Sequence, residues 1–129
     1  MGESFVKFSG KEGATYGQIY ARFKANEIDK NATGKYAKAA AEELTKKKFK
    51  KENVTKKKLE SGQLSDAHLH SRAIRKVVKQ FLSDYWIVGH KARGLPITLP
   101  YAFDVLGHSQ EHYEPPKMPP SQDRPDVAA

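Results

Sequence analysis

Residues 65–84 read SDAHLHSRAIRKVVKQFLSD, and this stretch decides the fold because its apolar residues recur at the spacing of one helical face. Those apolar residues are Leu69, Ala73, Ile74, Val77, Val78, Phe81 and Leu82. Ser65 stands where a helix N-cap is expected, and Asp66 suits the positive end of the helix dipole. The pattern predicts an amphipathic helix that packs its apolar face on a small core.

Two further helices are predicted before this one. The first begins at Thr15, which forms a capping-box pattern with Gln18, and it ends near Asn26. Its apolar face consists of Tyr16, Ile19, Tyr20 and Phe23. The second runs from Lys35 to about Lys48, where alanines favour the helix and a narrow apolar stripe follows its length.

The pattern changes after Asp84. Residues 85–88, YWIV, are typical of a strand, and residues 95–99 alternate between apolar and polar. The glycine-bounded segment 89–94 lies between them, so we expect a β-hairpin with its loop there. Pro96 lacks a backbone N–H and would confine the second strand to an edge.

Three helices followed by a hairpin resemble the element order of a winged helix. We therefore predict a mainly α, winged-helix-like three-helix domain with a small β-hairpin over residues 4–106. Within it, residues 4–9 alternate loosely and are expected to form a short edge strand. Residues 107–129 are proline-rich and almost free of aliphatic side chains, which predicts an extended, flexible tail.

The charge of the chain points to an anionic partner. The 129 residues include 23 Lys and Arg but only 15 Asp and Glu, which gives a net charge of +8. Such a surplus repels itself in a compact fold, and a polyanion would relieve the repulsion. We expect no membrane association, since no apolar run approaches the roughly 20 residues of a span and the first residues lack a secretory signal. The chain has no cysteine, which fits a cytoplasmic or nuclear protein.

Two groups of cations are the candidate nucleic-acid-binding residues. The first group lies on the polar face of the 65–84 helix and in the expected hairpin loop: Arg72, Arg75, Lys76, Lys79, His90, Lys91 and Arg93. The second group belongs to a lysine-rich run: Lys46, Lys47, Lys50, Lys56 and Lys57. In a helix-turn-helix plan the last helix and the loop would form one phosphate-binding surface.

Each group also has a structural interpretation. Cations on the outer face of a helix often do no more than solvate it, although Asp84 is the only acid between Ser71 and Lys91. The lysine-rich run is compatible with a nuclear-import signal or with a solvated helix end. Lysine lacks the bidentate fork that reads guanine, so a lysine-rich surface favours backbone contacts over base recognition.

We accordingly predict a nucleic-acid-binding protein that engages the phosphate backbone of RNA or DNA. It would act as a ribosome-like ribonucleoprotein component or as a DNA-binding protein. The alternative is a non-catalytic interaction subunit of a large complex that docks an acidic partner, while the proline-rich tail binds a protein neighbour. An enzyme is not expected, because the sequence has no phosphate loop and no nucleophile elbow.

Aromatic and histidine residues offer further sites that we interpret structurally. Base stacking is conceivable for Tyr16, Tyr20, Phe23 and Tyr36, but their helical spacing favours core packing. Trp86 is expected in the core as well. Residues 108–112, HSQEH, match the order of a metallopeptidase motif, but the prolines that follow disfavour the helix it needs. His68 and His70 point apart on a helix, so neither a metal nor a cofactor is expected.

Overall fold

The computed structural model describes residues 1–98, and within them the chain is helical with no strand. The helices of this range are α1 Gly2–Lys7, α2 Thr15–Ala32, α3 Ala37–Lys46, α4 Val54–Glu60 and α5 Asp66–Ala92. The chain divides into two units, 1–79 and 80–129, which we describe separately. No helix of the described range has both the length and the apolar character to cross a membrane.

The predicted winged helix is wrong, because residues 85–92 continue α5 where the first strand of the hairpin was expected. Asp84 suggested a break in the apolar stripe, yet it is buried and accepts a hydrogen bond of 2.9 Å from Gln80. Ile87 is buried three residues later, so the helical period continues through the acid. The strand preference of Tyr, Trp, Ile and Val is weak beside such packing.

The glycine-bounded loop of the expected hairpin is in fact a helix stop. Gly94 has φ +66°, its N–H binds the carbonyl of Lys91 at 3.1 Å, and the N–H of Leu95 binds the carbonyl of His90 at 2.9 Å. This bond pair is a Schellman motif, in which glycine takes the left-handed conformation. Residues 95–98 are irregular, so the second strand is not present in this described stretch.

Two other predictions near the N-terminus need correction. Residues 4–9 were expected as an edge strand, but most of them belong to α1, which packs on α2. Helix α2 continues past Asn26 to Ala32, and it stops at a second Schellman motif on Gly34, φ +78°. The polar character of residues 26–33 disguised this last part of the helix.

The lysine-rich run contains a helix that the sequence analysis missed. The side chain of Asn53 caps α4 by accepting a hydrogen bond of 2.8 Å from the N–H of Lys56. Leu59 is buried, and it joins Ala40, Leu64 and Leu69 in one core cluster. The part of the run that lies in α4 is therefore helical, and the buried Leu59 anchors it to the core of the first unit.

A second core cluster in the first unit contains Tyr20, Ala73 and Val77. Partly buried side chains surround it: Phe5, Val6, Tyr16, Ile19, Phe23 and Ile74. The predicted core role is thus confirmed for the α2 aromatics and for Leu69, Ala73, Ile74 and Val77 of α5, whereas Leu82, predicted on the same apolar face, is 51% exposed. The predicted boundary at residue 106, the tail 107–129 and the motif at 108–112 lie outside the described residues.

We expect Gly17→Ala to destabilise the first unit. Gly17 is buried in α2, and a Cβ there would overlap the carbonyl of Phe8 and come within 2.9 Å of the N–H nitrogen of Ser9. Overpacking against backbone costs on the order of 1–3 kcal/mol, which should lower Tm in thermal unfolding followed by circular dichroism. Gly89→Ala is the matched control, because Gly89 is also helical but has open space around it. It should gain about 1 kcal/mol from helix propensity, and equal effects of the two substitutions would contradict the close approach at Gly17.

Candidate nucleic-acid interface

The four cations predicted on the 65–84 helix do lie together. They line one open cleft on the surface of the first unit: Arg72, Arg75, Lys76 and Lys79. Their spacing of three, four and seven residues places them on one side of α5. The structure nevertheless divides them into two pairs with different surroundings.

Arg75 and Lys79 form the outer pair. Both are exposed, and neither has an acidic partner within residues 1–98. They stand four residues apart, so their side chains leave adjacent turns of α5 in the same direction. This pair has the solvent-facing position that the sequence predicted for the whole group.

Arg72 and Lys76 form the inner pair, and for them the predicted solvent-facing position is wrong. Both are only partly exposed and bind the carboxylate of Glu27, which is 0% exposed on α2. The Nε of Arg72 donates to Glu27 at 2.7 Å, and the Nζ of Lys76 donates to its other oxygen. Glu27 does not line the cleft, but as the buried partner of two lining cations it lowers the net positive charge there.

Aromatic side chains complete the surroundings of Glu27. The hydroxyl of Tyr36 donates to the Glu27 carboxylate at 2.7 Å, and the Arg72 guanidinium lies 4.4 Å from the centre of the Tyr36 ring. The Nζ of Lys76 lies 5.9 Å from the centre of the Phe23 ring. Each inner cation is thus held by a carboxylate and by an aromatic face, which fixes its position.

The ionisation of Glu27 follows from these contacts. Burial alone raises the pKa of Glu27, but the hydrogen bonds from Lys76, Arg72 and Tyr36 outweigh it and lower that pKa from 4.5 to about 2. The hydrogen bond to Glu27 correspondingly raises the pKa of Arg72. Glu27 is therefore charged at neutral pH, and it offsets one of the two inner cations.

The lysine-rich run is also partly neutralised. Lys47 pairs with Glu43, and Lys56 lies 3.6 Å from Glu60. The remaining predicted lysines of the run are exposed and have no acidic partner in the described part of the chain: Lys46, Lys50 and Lys57. These three residues remain candidates for phosphate contacts.

His90, Lys91 and Arg93 belong to the second unit. The hairpin tip on which we predicted them is not formed in the described residues, since His90 and Lys91 lie in the last turn of α5. Lys91 and Arg93 are exposed, and the His90 ring packs on Trp86 with 3.8 Å between the ring centres. The single surface that was to join a hairpin loop to the helix is therefore not supported.

The two histidines at the start of α5 each have a partner in the first unit. The Nδ1 of His68 lies 2.8 Å from the Glu43 carboxylate, and the Nδ1 of His70 lies 2.7 Å from the Tyr20 hydroxyl. Within residues 1–98 no group of three or more His, Cys, Asp or Glu residues is placed to hold a metal ion. Both histidines connect α5 to neighbouring helices.

Glu27 is the site residue that the sequence analysis missed. A signal for it exists, because Glu27 follows Tyr20 and Phe23 by seven and four residues and so continues the apolar stripe of α2. An acid on that stripe needs cationic partners when it is buried, but the sequence does not show which helix supplies them.

Comparisons of the chain with protein-family models, with curated proteins and with solved structures find no match.

Proposed function

We propose that the protein binds the phosphate backbone of nucleic acid through the α5 cleft. The observation that carries the proposal is the pair Arg75 and Lys79, exposed and unpaired within the described chain, beside two cations that Glu27 holds in place. Phosphate recognition needs cations that converge and lose little side-chain entropy on binding. The inner pair is already ordered, and the outer pair is free to contact phosphates.

The lysine-rich run supports this proposal as a second source of charge. Lys46, Lys50 and Lys57 are exposed lysines, and lysine gives affinity for the backbone without reading bases. We therefore propose binding to RNA or DNA with little sequence preference, as a ribonucleoprotein component or a DNA-binding protein. The protein has no proposed catalytic role.

An acidic protein surface is the second candidate, and Glu27 favours it. Because the buried carboxylate lowers the net charge of the cleft, a partner less charged than a nucleic acid also complements it. The salt dependence of the affinity separates the two candidates. Each phosphate contact releases counterions, so binding to nucleic acid should weaken more steeply with salt than binding to an acidic protein.

The test measures the affinity of the full chain for random-sequence oligonucleotides by fluorescence anisotropy, over a range of salt concentrations. We expect Arg75→Ala with Lys79→Ala to weaken binding on the order of tenfold at low salt and to reduce the log–log salt slope by about 2. The double variant should keep its helicity, because neither side chain has a partner in residues 1–98.

Lys35→Ala with Lys38→Ala is the charge-matched control. Both lysines are exposed and unpaired within residues 1–98, and they lie outside the cleft. This control should change affinity much less than the α5 variant does. Equal losses would show that only net charge matters, and no binding at low salt would overturn the proposal in favour of an acidic protein partner.

A further inference from the structure

The second unit has an exposed apolar face on the last turns of α5. Leu82, Tyr85, Trp86 and Gly89 follow one another at the spacing of a single helical face. Leu82 is 51% exposed, Tyr85 72% and Trp86 39%. Trp86 was expected in the core, so its position on this face corrects the sequence analysis. Large aromatic side chains in contact with water commonly mark a binding surface.

Gly89 lies at the end of this face, and no contact with residues 1–98 accounts for a glycine there. Glycine in a helix costs about 1 kcal/mol relative to alanine. In the described part of the chain nothing lies within 4 Å of the position that its Cβ would take, so no neighbouring group there requires the residue to be small. A flat ligand lying against the helix would use this space, because the missing side chain lets it approach the backbone.

The charge near this face favours an anionic partner. Among residues 80–98 the only acid is Asp84, which is buried, whereas Arg93, four residues after Gly89 at the turn that ends α5, is exposed. A second copy of the chain would bring like charges together, while an anionic ligand would be attracted. The rings are also held in place: Tyr85 stacks on Phe81 with an interplanar angle of 27°, and Trp86 packs on His90.

We propose that this face binds single-stranded nucleic acid by stacking bases on Tyr85 and Trp86, while Arg93 contacts a neighbouring phosphate. Exposed aromatic rings beside cations are the usual means of holding a single strand without reading its sequence. In a duplex the bases stack on each other and do not offer their faces. The inference rests on the proposed function and names single strands as its ligand.

Trp86 supplies a direct signal, because it is the only tryptophan of the chain. The full chain is titrated with an oligothymidine of about 20 nucleotides, with an abasic strand of equal length and with a duplex. We expect the oligothymidine to quench Trp86 emission at saturation, and the other two to bind without comparable quenching. Unchanged emission at saturating oligothymidine would overturn the inference.

Variants at Tyr85 give a second test. Tyr85→Ala should weaken oligothymidine binding at least about fivefold and leave duplex binding unchanged, whereas Tyr85→Phe keeps the ring and should bind as the unmodified protein does. If Tyr85→Ala has no effect while Arg75→Ala with Lys79→Ala weakens binding, the stacking inference fails and the backbone proposal stands. If no oligonucleotide binds, both fail. If Trp86 emission changes with protein concentration in the absence of nucleic acid, the face binds a second copy of the chain, and the inference is overturned.

Discussion

Glu27→Gln should make the protein less stable and a tighter binder of polyanions at the same time. The substitution keeps the shape of the side chain and an acceptor for the Tyr36 hydroxyl, but it removes the charge that Arg72 and Lys76 share. Removing one partner of a buried ion pair costs about 3–5 kcal/mol, and the partial exposure of both cations lowers the expected loss to about 2–3 kcal/mol. Urea unfolding measures this loss.

The expected gain in affinity also comes from the loss of the Glu27 charge. Without the carboxylate, both inner cations act on a ligand in the cleft, so affinity for oligonucleotides should rise roughly fivefold at low salt. Glu42→Gln removes an exposed acid of α3 and is the charge-matched control. It should change stability and affinity little. A Glu27→Gln variant that binds no better than this control would mean that the inner pair does not face the ligand.

The same substitution should change the acid sensitivity of the fold. The pKa of Glu27 is lower in the folded chain than in the unfolded one, so protonation favours unfolding. Its contribution is complete above pH about 4.5 and disappears as the pH falls toward about 2, which amounts to about 3 kcal/mol. Glu27→Gln lacks this contribution, and the stability difference between the two proteins should therefore shrink in that interval.

Asn31→Ala should be the second strongly destabilising substitution. The buried Asn31 amide accepts a hydrogen bond of 2.8 Å from the N–H of Leu64 and donates one of 3.1 Å to the Leu64 carbonyl. This side chain therefore fixes the backbone between α4 and α5 to the end of α2. Alanine would leave both backbone groups of a fully buried residue without partners.

The expected loss is about 2–6 kcal/mol, since each of the two buried polar groups left unpaired costs about 1–3 kcal/mol. Thermal unfolding should show a clear fall in Tm. Asn26→Ala on the exposed side of the same helix is the control and should stay within about 0.5 kcal/mol. If the two alanine variants have the same Tm, the Asn31 amide does not hold the 61–65 connection.

The elements that the sequence predicted correctly are those whose buried positions are apolar. Tyr20 and Phe23 placed the apolar face of α2, and Ala73 and Val77 placed that of α5. The errors occur where a polar residue occupies a buried position. The polar stretch that begins at Asn26 ended the predicted α2 too early, although it contains the buried Glu27 and Asn31, and Asp84 ended α5 too early, because a single-sequence pattern treats such residues as exposed.

The cation cluster was predictable, but its division into two pairs was not. Spacing along one helix shows that four cations share a face, whereas the identity of their partners depends on which helix packs beside them. Glu27 lies 45 residues before Arg72, and no local pattern connects them. Helix α4 was hidden for a related reason, since its composition is dominated by lysine and only Leu59 is buried.

The left-handed glycines at the helix stops restrict how the length of this chain can change. Gly34, Gly62 and Gly94 each close a helix with the same pair of backbone bonds. A residue inserted within α2 would turn everything between it and Gly34 by about 100° about the helix axis, and Asn31 would leave its place opposite Leu64. We therefore expect insertions and deletions to be tolerated best in 47–53, between α3 and α4, where no left-handed glycine fixes the position at which a helix ends.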